Sequence, residues 1–220
     1  MDIYPKNSFK ISIITANKEF ATKLAQILSD LEIKSGIYRG KTEYEIFVYN
    51  KSFWTILSSK YRILPGKKSH KLEHPDNLTK EENTDYLRGL LDGDSSIFET
   101  TTKLKRKQRI YTYYILRIEY KSKTKAIIDW SLEFLKEMGI NPYIQKDPKF
   151  HRWFLDGAEN IRKFSQIGFL HPEKQERLKS ILTMYKDKRY YRIKNVVSVE
   201  ETTRNSGPIE DQGAENAQDE

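Results

Sequence analysis

The chain repeats itself, and this repeat constrains its fold more than any other feature. At a shift of 107 residues, Phe9, Lys10, Ile11, Ser12 and Ile13 fall on Leu116, Arg117, Ile118, Glu119 and Tyr120. Lys18 falls on Lys125, and Leu28, Leu31, Ile33 and Ile37 fall on Leu135, Met138, Ile140 and Ile144. Phe47 falls on Phe154, and Pro65 and Lys67 fall on Pro172 and Lys174. No gap is needed over about 60 residues, and residue order and apolar phasing agree, as expected for two copies of one supersecondary unit.

Both copies read alike. Period-2 alternation predicts strands over 9–14 and 113–120. Helices follow over 18–31 and 125–138, with apolar stripes of Phe20, Leu24, Ile27, Leu28 and Leu31 and of Ile127, Ile128, Leu132, Leu135 and Met138. Gly139 ends the second of these helices. Strands are predicted over 35–38 with 43–49, and over 142–145 with 151–155. A helix then closes each unit, over 52–59 and 158–166. Such units imply an α+β fold with the helices on one sheet face and the other face free to meet a partner.

Charge says what that partner is. The last 22 residues, 199–220, hold seven acids and one base, and the rest of the chain keeps 38 bases against 24 acids, a net +14. A body so basic attracts phosphate, and the acidic tail, poor in large apolar residues, is expected to be disordered. No apolar run reaches the ~20 residues that span a bilayer, and the N-terminus does not read as a signal peptide. With no Cys there is no disulfide, thiol nucleophile or zinc-thiolate site, and four scattered His argue against a His-built metal site. The expectation is an intracellular protein, in the cytoplasm or an organelle matrix, that meets nucleic acid and no membrane. A merely solvated Lys-rich surface is the plain alternative.

The second copy carries more in front of it than the first. Residues 84–102 read as a helix, a tight turn and a strand, with Thr84 or Asp85 to cap the helix. The first copy has no room for these before Met1, so it is expected to lack both the helix and the first strand. Within the helix, Gly89 and Gly93 are four apart and share a face, which lets a second backbone approach closely. A carboxylate at the end of such a helix, met by another across the seam, could hold a divalent cation through oxygen ligands. The alternative is a buried helix with an Asp at its frayed end.

The segment Leu87-Arg88-Gly89-Leu90-Leu91-Asp92-Gly93-Asp94-Ser95, followed by Ser96-Ile97-Phe98, resembles the LAGLIDADG motif of homing endonucleases. The repeat after it is similar to their αββαββα core, and Ile167-Gly168-Phe169-Leu170-His171-Pro172-Glu173-Lys174 resembles a later segment of the family. The resemblance covers about residues 84–185 as a whole unit and 3–72 as one without its motif helix, so a complete unit is expected over 81–192 and an incomplete one over 1–80. It implies antiparallel, saddle-shaped sheets lying on double-stranded DNA and phosphodiester hydrolysis with Mg²⁺ or Mn²⁺ at the base of paired motif helices. By the resemblance Asp94 is the catalytic acid and metal ligand, the Gly93 carbonyl is a second ligand, and Asp92 is structural. Lys174, and Lys67 in the first copy, match a basic residue near the scissile phosphate, with a surface Lys opening a helix as the alternative. Asn17 and Thr124 fall nearest to a water-orienting position.

Two positions depart from the motif. Arg88 replaces an Ala but sits off the Gly face. Ser95 replaces the final Gly, which costs about 1 kcal/mol if that position needs a positive φ. Only one motif is present, so a homodimer through Gly89 and Gly93 is the expected way to bring two acids together. Strand alternation puts Lys10 and Ser12 on one polar face, and Tyr113, Arg117 and Glu119 on the other. Residues 103–109 are expected to form the turn between the first two strands of the complete unit. There Lys103, Lys105, Arg106, Lys107 and Arg109 suit phosphate contact, a solvated hairpin tip being the alternative. Arg39 and Lys41 extend the expected DNA surface. A site-specific endonuclease is thus the leading function. A non-cleaving DNA-binding regulator, or a maturase whose partner is intron RNA, is the alternative.

Overall fold

The computed structural model describes residues 2–3, 9–63, 72–106, 109–186 and 196–198, with 2–3, 101–106, 109–114, 184–186 and 196–198 as backbone only. Lys67, Lys107 and the acidic tail 199–220 lie outside the described residues.

Two antiparallel sheets carry the repeat. In the first, β1 (Asp2–Ile3), β2 (Lys10–Thr15), β3 (Ser35–Arg39) and β4 (Tyr44–Tyr49) run in the order β1-β2-β4-β3. In the second, β5 (Ser95–Arg106), β6 (Arg109–Ser122), β7 (Tyr143–Ile144) and β8 (His151–Asp156) take the same order, and β9 (Val196–Ser198) adds to β6 at Arg109–Tyr111. Ile11 pairs with Val48 and Gly36 with Phe47, whereas Ile118 pairs with Leu155 and Tyr143 with Phe154. The β6–β8 and β7–β8 registers are those of β2–β4 and β3–β4 moved by the same 107 residues, whereas the β5–β6 pairing does not follow that shift from β1–β2.

The helix ends repeat as well. Helix α1 (Lys18–Asp30) is capped by Asn17, whose side chain accepts from the Phe20 amide at 2.7 Å, and α2 (Lys51–Ser59) by Asn50 in the same way. Their counterparts α4 (Lys125–Glu137) and α5 (Ala158–Phe164) start after Thr124 and Gly157. Gly139, at φ +71°, turns the chain after α4. Glu32, at +59°, stands at the same place after α1 and holds a left-handed conformation without glycine's freedom. So Asn17 and Thr124, the two candidates for orienting water, are helix caps. Asn17 also donates to Glu173 Oε1 at 2.6 Å, a contact between the units.

All helices pack on one side of their sheets. The larger core joins Leu87 and Leu91 of α3 (Lys80–Asp94), Leu116, Ile118 and Tyr120 of β6, the apolar stripe of α4, Trp153 and Leu155 of β8, and Leu178 and Ile181 of α6 (Pro172–Lys186). The smaller core holds Ile11, Ala21, Leu28, Ile46, Val48 and Leu57, and among the described residues no motif helix lies over it. Burying one Leu side chain contributes roughly 1.5–3 kcal/mol, so the two Leu of α3 alone give the second unit a clear advantage. Segment 72–79 ties the units together. His74 stacks on Trp130 at 4.0 Å, and Arg62 pairs with Asp76.

Four expectations need correction. The first unit does have its first strand: β1 pairs Asp2 with Ser12 and Ile3 with Ile11. The motif helix starts a turn earlier than Thr84, with Thr79 as its cap. The Thr79 hydroxyl accepts from the Glu82 amide while the Glu82 carboxylate accepts from the Thr79 amide. Thr84 instead donates back to the Lys80 carbonyl, and Asp85 pairs with Arg88. Finally, Lys103, Lys105 and Arg106 belong to a strand and not to a turn, because β5 and β6 pair continuously from Ser95–Tyr120 out to Arg106–Arg109. Strand β6 accordingly begins at Arg109, four residues before Tyr113.

Candidate functional site: the motif-helix end and the outer sheet faces

The two motif carboxylates have different surroundings. Asp92 is buried, and its oxygens accept from the backbone amides of Leu170 and His171 at 3.1 and 3.0 Å. Burial pushes its carboxyl upward, and the two amides and the Lys174 charge pull it back only in part. Asp94, two residues on, is exposed at the end of α3. Next to it Tyr120 is fully buried with its hydroxyl unpartnered, and burial, with Asp94's charge behind it, raises that hydroxyl's pKa.

Lys174 lies in the first turn of α6, and its ammonium donates to the carbonyls of Leu91 and Asp92 at 2.8 Å each, reaching Ser95 Oγ at 3.4 Å. It therefore covers the last carbonyls of α3, sharing that of Leu91 with the Ser95 amide, where a cation also meets the negative end of the helix dipole. Burial lowers its pKa, and Asp92 and Asp94 oppose that. The clamp is reciprocal: Asp92 at the end of α3 holds the entry to α6, and Lys174 of α6 holds the end of α3. Lys174 is thus half-buried and bonded, not a free surface Lys opening a helix. Ser95 has φ −95° and carries no left-handed strain, contrary to the expected cost. Its hydroxyl donates to the Leu91 carbonyl at 2.5 Å, a bond that glycine could not make.

Arg88 sits off the Gly face as expected, donating to the Ile167 carbonyl at 2.7 Å. A methyl added at Gly89 or Gly93 would meet nothing within 4 Å. That face of α3 is open among the described residues.

The outer sheet faces carry the remaining candidates. Lys10 bonds Glu45 at 2.6 Å, and Ser12 donates to the same carboxylate at 2.5 Å. Ser12 shares the polar face with Lys10 but is only 1% exposed, closed over by that pair. In the second sheet Arg117 pairs with Asp156 at 3.1 Å, and Arg152 pairs with Glu119 at 3.1 Å and with Asp147. The two guanidinium groups lie 5.1 and 5.6 Å from the Phe154 ring centre. Arg39 and Lys41 are exposed at the turn joining β3 and β4. Lys103, Lys105 and Arg106 on β5 and Arg109 and Tyr113 on β6 are placed by their backbone pairing alone.

Sequence reasoning missed Glu45, Arg152 and Asp156 as members of these faces. Extending the alternation of β6 across its neighbours would have found them, since cross-strand partners share a face. It also missed the part played by His171. That ring packs tilted against Phe20 of α1, with 4.8 Å between ring centres, while its amide holds Asp92.

No family model and no curated protein sequence matches the chain. Solved structures do. The K262A mutant of I-SmaMI superposes with a TM-score of 0.53 at 11% identity, over 82% of this chain and 81% of that one. The meganuclease I-SmaMI bound to uncleaveable DNA gives 0.52 at 11% identity, over 82% and 80%. Full-length DUF199/WhiA from Thermatoga maritima gives 0.49 at 13% identity, and the chain spans 57% of its length. Two sheets in one strand order, helices on one face and a motif helix ending in Asp94 together give this chain the α+β fold of the LAGLIDADG endonucleases.

Proposed function

We propose that the chain is a site-specific DNA endonuclease of the homing type, binding double-stranded DNA on its outer sheet faces. Its hydrolytic centre lies at Asp94. The observation that carries this reading is the division of labour between the two motif acids. Asp92 is used up in bonding two amides, and Asp94 is left exposed at the helix end. The Asp94 carboxylate and the Gly93 carbonyl are hard oxygen donors of the kind that Mg²⁺ or Mn²⁺ takes. When bound, such an ion would supply an activated water and charge stabilisation for the leaving oxygen. Lys174 fixes the end of α3 and so holds the Asp94 backbone in place. Lys67 is proposed for the same position in the first unit. The solved meganuclease bound to DNA lends support at the level of the fold.

One carboxylate does not fill a two-strand cleavage centre, and the open Gly89/Gly93 face is where a second copy would bring another. A homodimer is therefore part of the proposal, with DNA contacts from Lys10, Arg39, Lys41, Arg117, Tyr113 and the Lys103–Arg109 arm, in an intracellular setting.

A second reading, a non-cleaving DNA-binding regulator or an intron-RNA maturase, is favoured by one observation. One chain brings a single motif acid, Asp94, to the helix end, and the Gly89/Gly93 face beside it is open among the described residues. Incubating the purified chain with Mg²⁺ and a plasmid library of randomised targets separates the two. Recovery of one cut sequence supports the endonuclease, and tight binding without cutting of any member supports the second reading.

A further inference from the structure

The repeat sets the two outer faces side by side, and their chemistry has diverged. Positions that hold Arg117, Arg152 and Asp156 in the second sheet hold Lys10, Glu45 and Tyr49 in the first. The second face is a network of ion pairs around Phe154, rich in donors and acceptors. Among the described residues the first has one ion pair, Lys10 with Glu45, beside the buried Ser12, and the rest of its side chains are aromatic or apolar. Tyr38 and Tyr49 are 62% and 61% exposed, and Ile14 on the same face is 50% exposed.

Phe47 lies between the two tyrosines along β4. Its ring is 5.9 Å from that of Tyr49, and its tip rests over Gly36, where a Cβ would overlap it. Gly36 thus lets the ring lie down across β3, whereas the second unit has Tyr143 there. The result is an aromatic strip on a four-stranded sheet, with the Phe47 and Tyr49 rings inclined at 67° to one another. Exposed cations flank it, with Arg39 and Lys41 at one end of β4 and Lys51 at the other.

A duplex on this face would meet Lys10, Arg39 and Lys41 through its phosphates, but it hides the faces of its bases from the aromatic strip. Unpaired nucleotides offer π faces, and those stack on exposed aromatics while phosphates meet flanking cations. The chain without its last 22 residues carries +14, which supplies the charge complement.

We propose that the outer face of the first sheet binds unpaired nucleotides, with bases stacking on Tyr38 and Tyr49 beside Phe47. This goes beyond duplex binding and does not depend on cleavage. Single-stranded DNA and single-stranded RNA share the chemistry.

The test uses the full chain without metal. Fluorescence anisotropy measures its affinity for a short non-self-complementary oligonucleotide as deoxy strand, as ribo strand and as duplex. Tyr38→Ala and Tyr49→Ala should each weaken the single strand by about five-fold to a hundred-fold, from ~1–3 kcal/mol per stacked base, and leave the duplex unchanged. Tyr→Phe at either position should restore binding, because the ring and not the hydroxyl does the stacking. The stronger of the deoxy and ribo strands identifies the source. Both tyrosines are exposed, so the variants should keep the wild-type circular dichroism. Equal losses for strand and duplex would overturn the proposal, as would single-strand affinity indifferent to both substitutions or no single-strand binding by the wild type.

Discussion

Replacing Asp92 and Asp94 one at a time by Ala should affect different properties of the molecule. Asp92→Ala removes the acceptor for the Leu170 and His171 amides, bonded now at 3.1 and 3.0 Å. An amide left unpaired away from water costs about 1–3 kcal/mol. Both segments are half-buried, so the lower part of that range applies to each. The carboxylate also carries a desolvation cost, seen in its raised pKa, which its removal returns. The net loss is about 2–3 kcal/mol. At about 2–4 °C per kcal/mol for a chain of this size, the melting temperature should fall by about 4–12 °C. Asp94→Ala removes an exposed side chain and should melt within about a degree of wild type. Thermal melts by circular dichroism on the three proteins decide the matter. If Asp92→Ala melts like wild type while Asp94→Ala falls, the roles assigned to the two acids are reversed.

Glu32→Gly should raise stability by about 1 kcal/mol, because Glu32 stands at φ +59° where the second unit uses Gly139. An unchanged or lower melting temperature would show that the side chain repays its strain. Gly89→Leu should leave the fold intact, since nothing lies within 4 Å of an added methyl. It should convert a light-scattering dimer to a monomer, and a monomeric wild type would remove the seam from the account. Glu45→Gln should cost about 1 kcal/mol at neutral pH. The Lys10 ammonium, followed by the Ser12 hydroxyl, holds the Glu45 carboxyl below its ordinary 4.5. Its contribution is therefore full above that value and disappears as pH falls through the lowered one. Melts of the two proteins should converge as pH falls below the lowered value, and a constant gap would contradict the ion pair.

How much of this was legible depends on where the determining interactions lie along the chain. The repeat, the strand registers and the apolar stripes are local or periodic, and the 107-residue shift carries over into the hydrogen-bond pairing of both sheets. Thr79 was missed although Thr-Lys-Glu-Glu spells a capping box, because six polar residues separate it from Tyr86, the first apolar position of the helix. The two residues of β1 are too few for alternation to register. The hairpin arm was shortened to a turn because a run of Thr, Lys and Arg has no apolar phase, yet cross-strand pairing carries it as strand to Arg106. The fixing of Lys174 on the Leu91 and Asp92 carbonyls joins residues more than 80 apart, and no pattern within either segment encodes it. Ser95 was read from the motif's Gly, whereas its backbone is extended and its hydroxyl caps the helix.

The central claim is that Asp94 supplies the chemistry and the basic surface supplies the affinity. The most direct measurement compares wild type and Asp94→Asn on the same cut target, with cleavage followed in Mg²⁺ and affinity followed by gel shift without it. Asn keeps the size of the side chain and loses the charge that holds a cation. The account predicts that cleavage disappears while the dissociation constant stays where it was. An Asp94→Asn protein that cuts at the wild-type rate would contradict it.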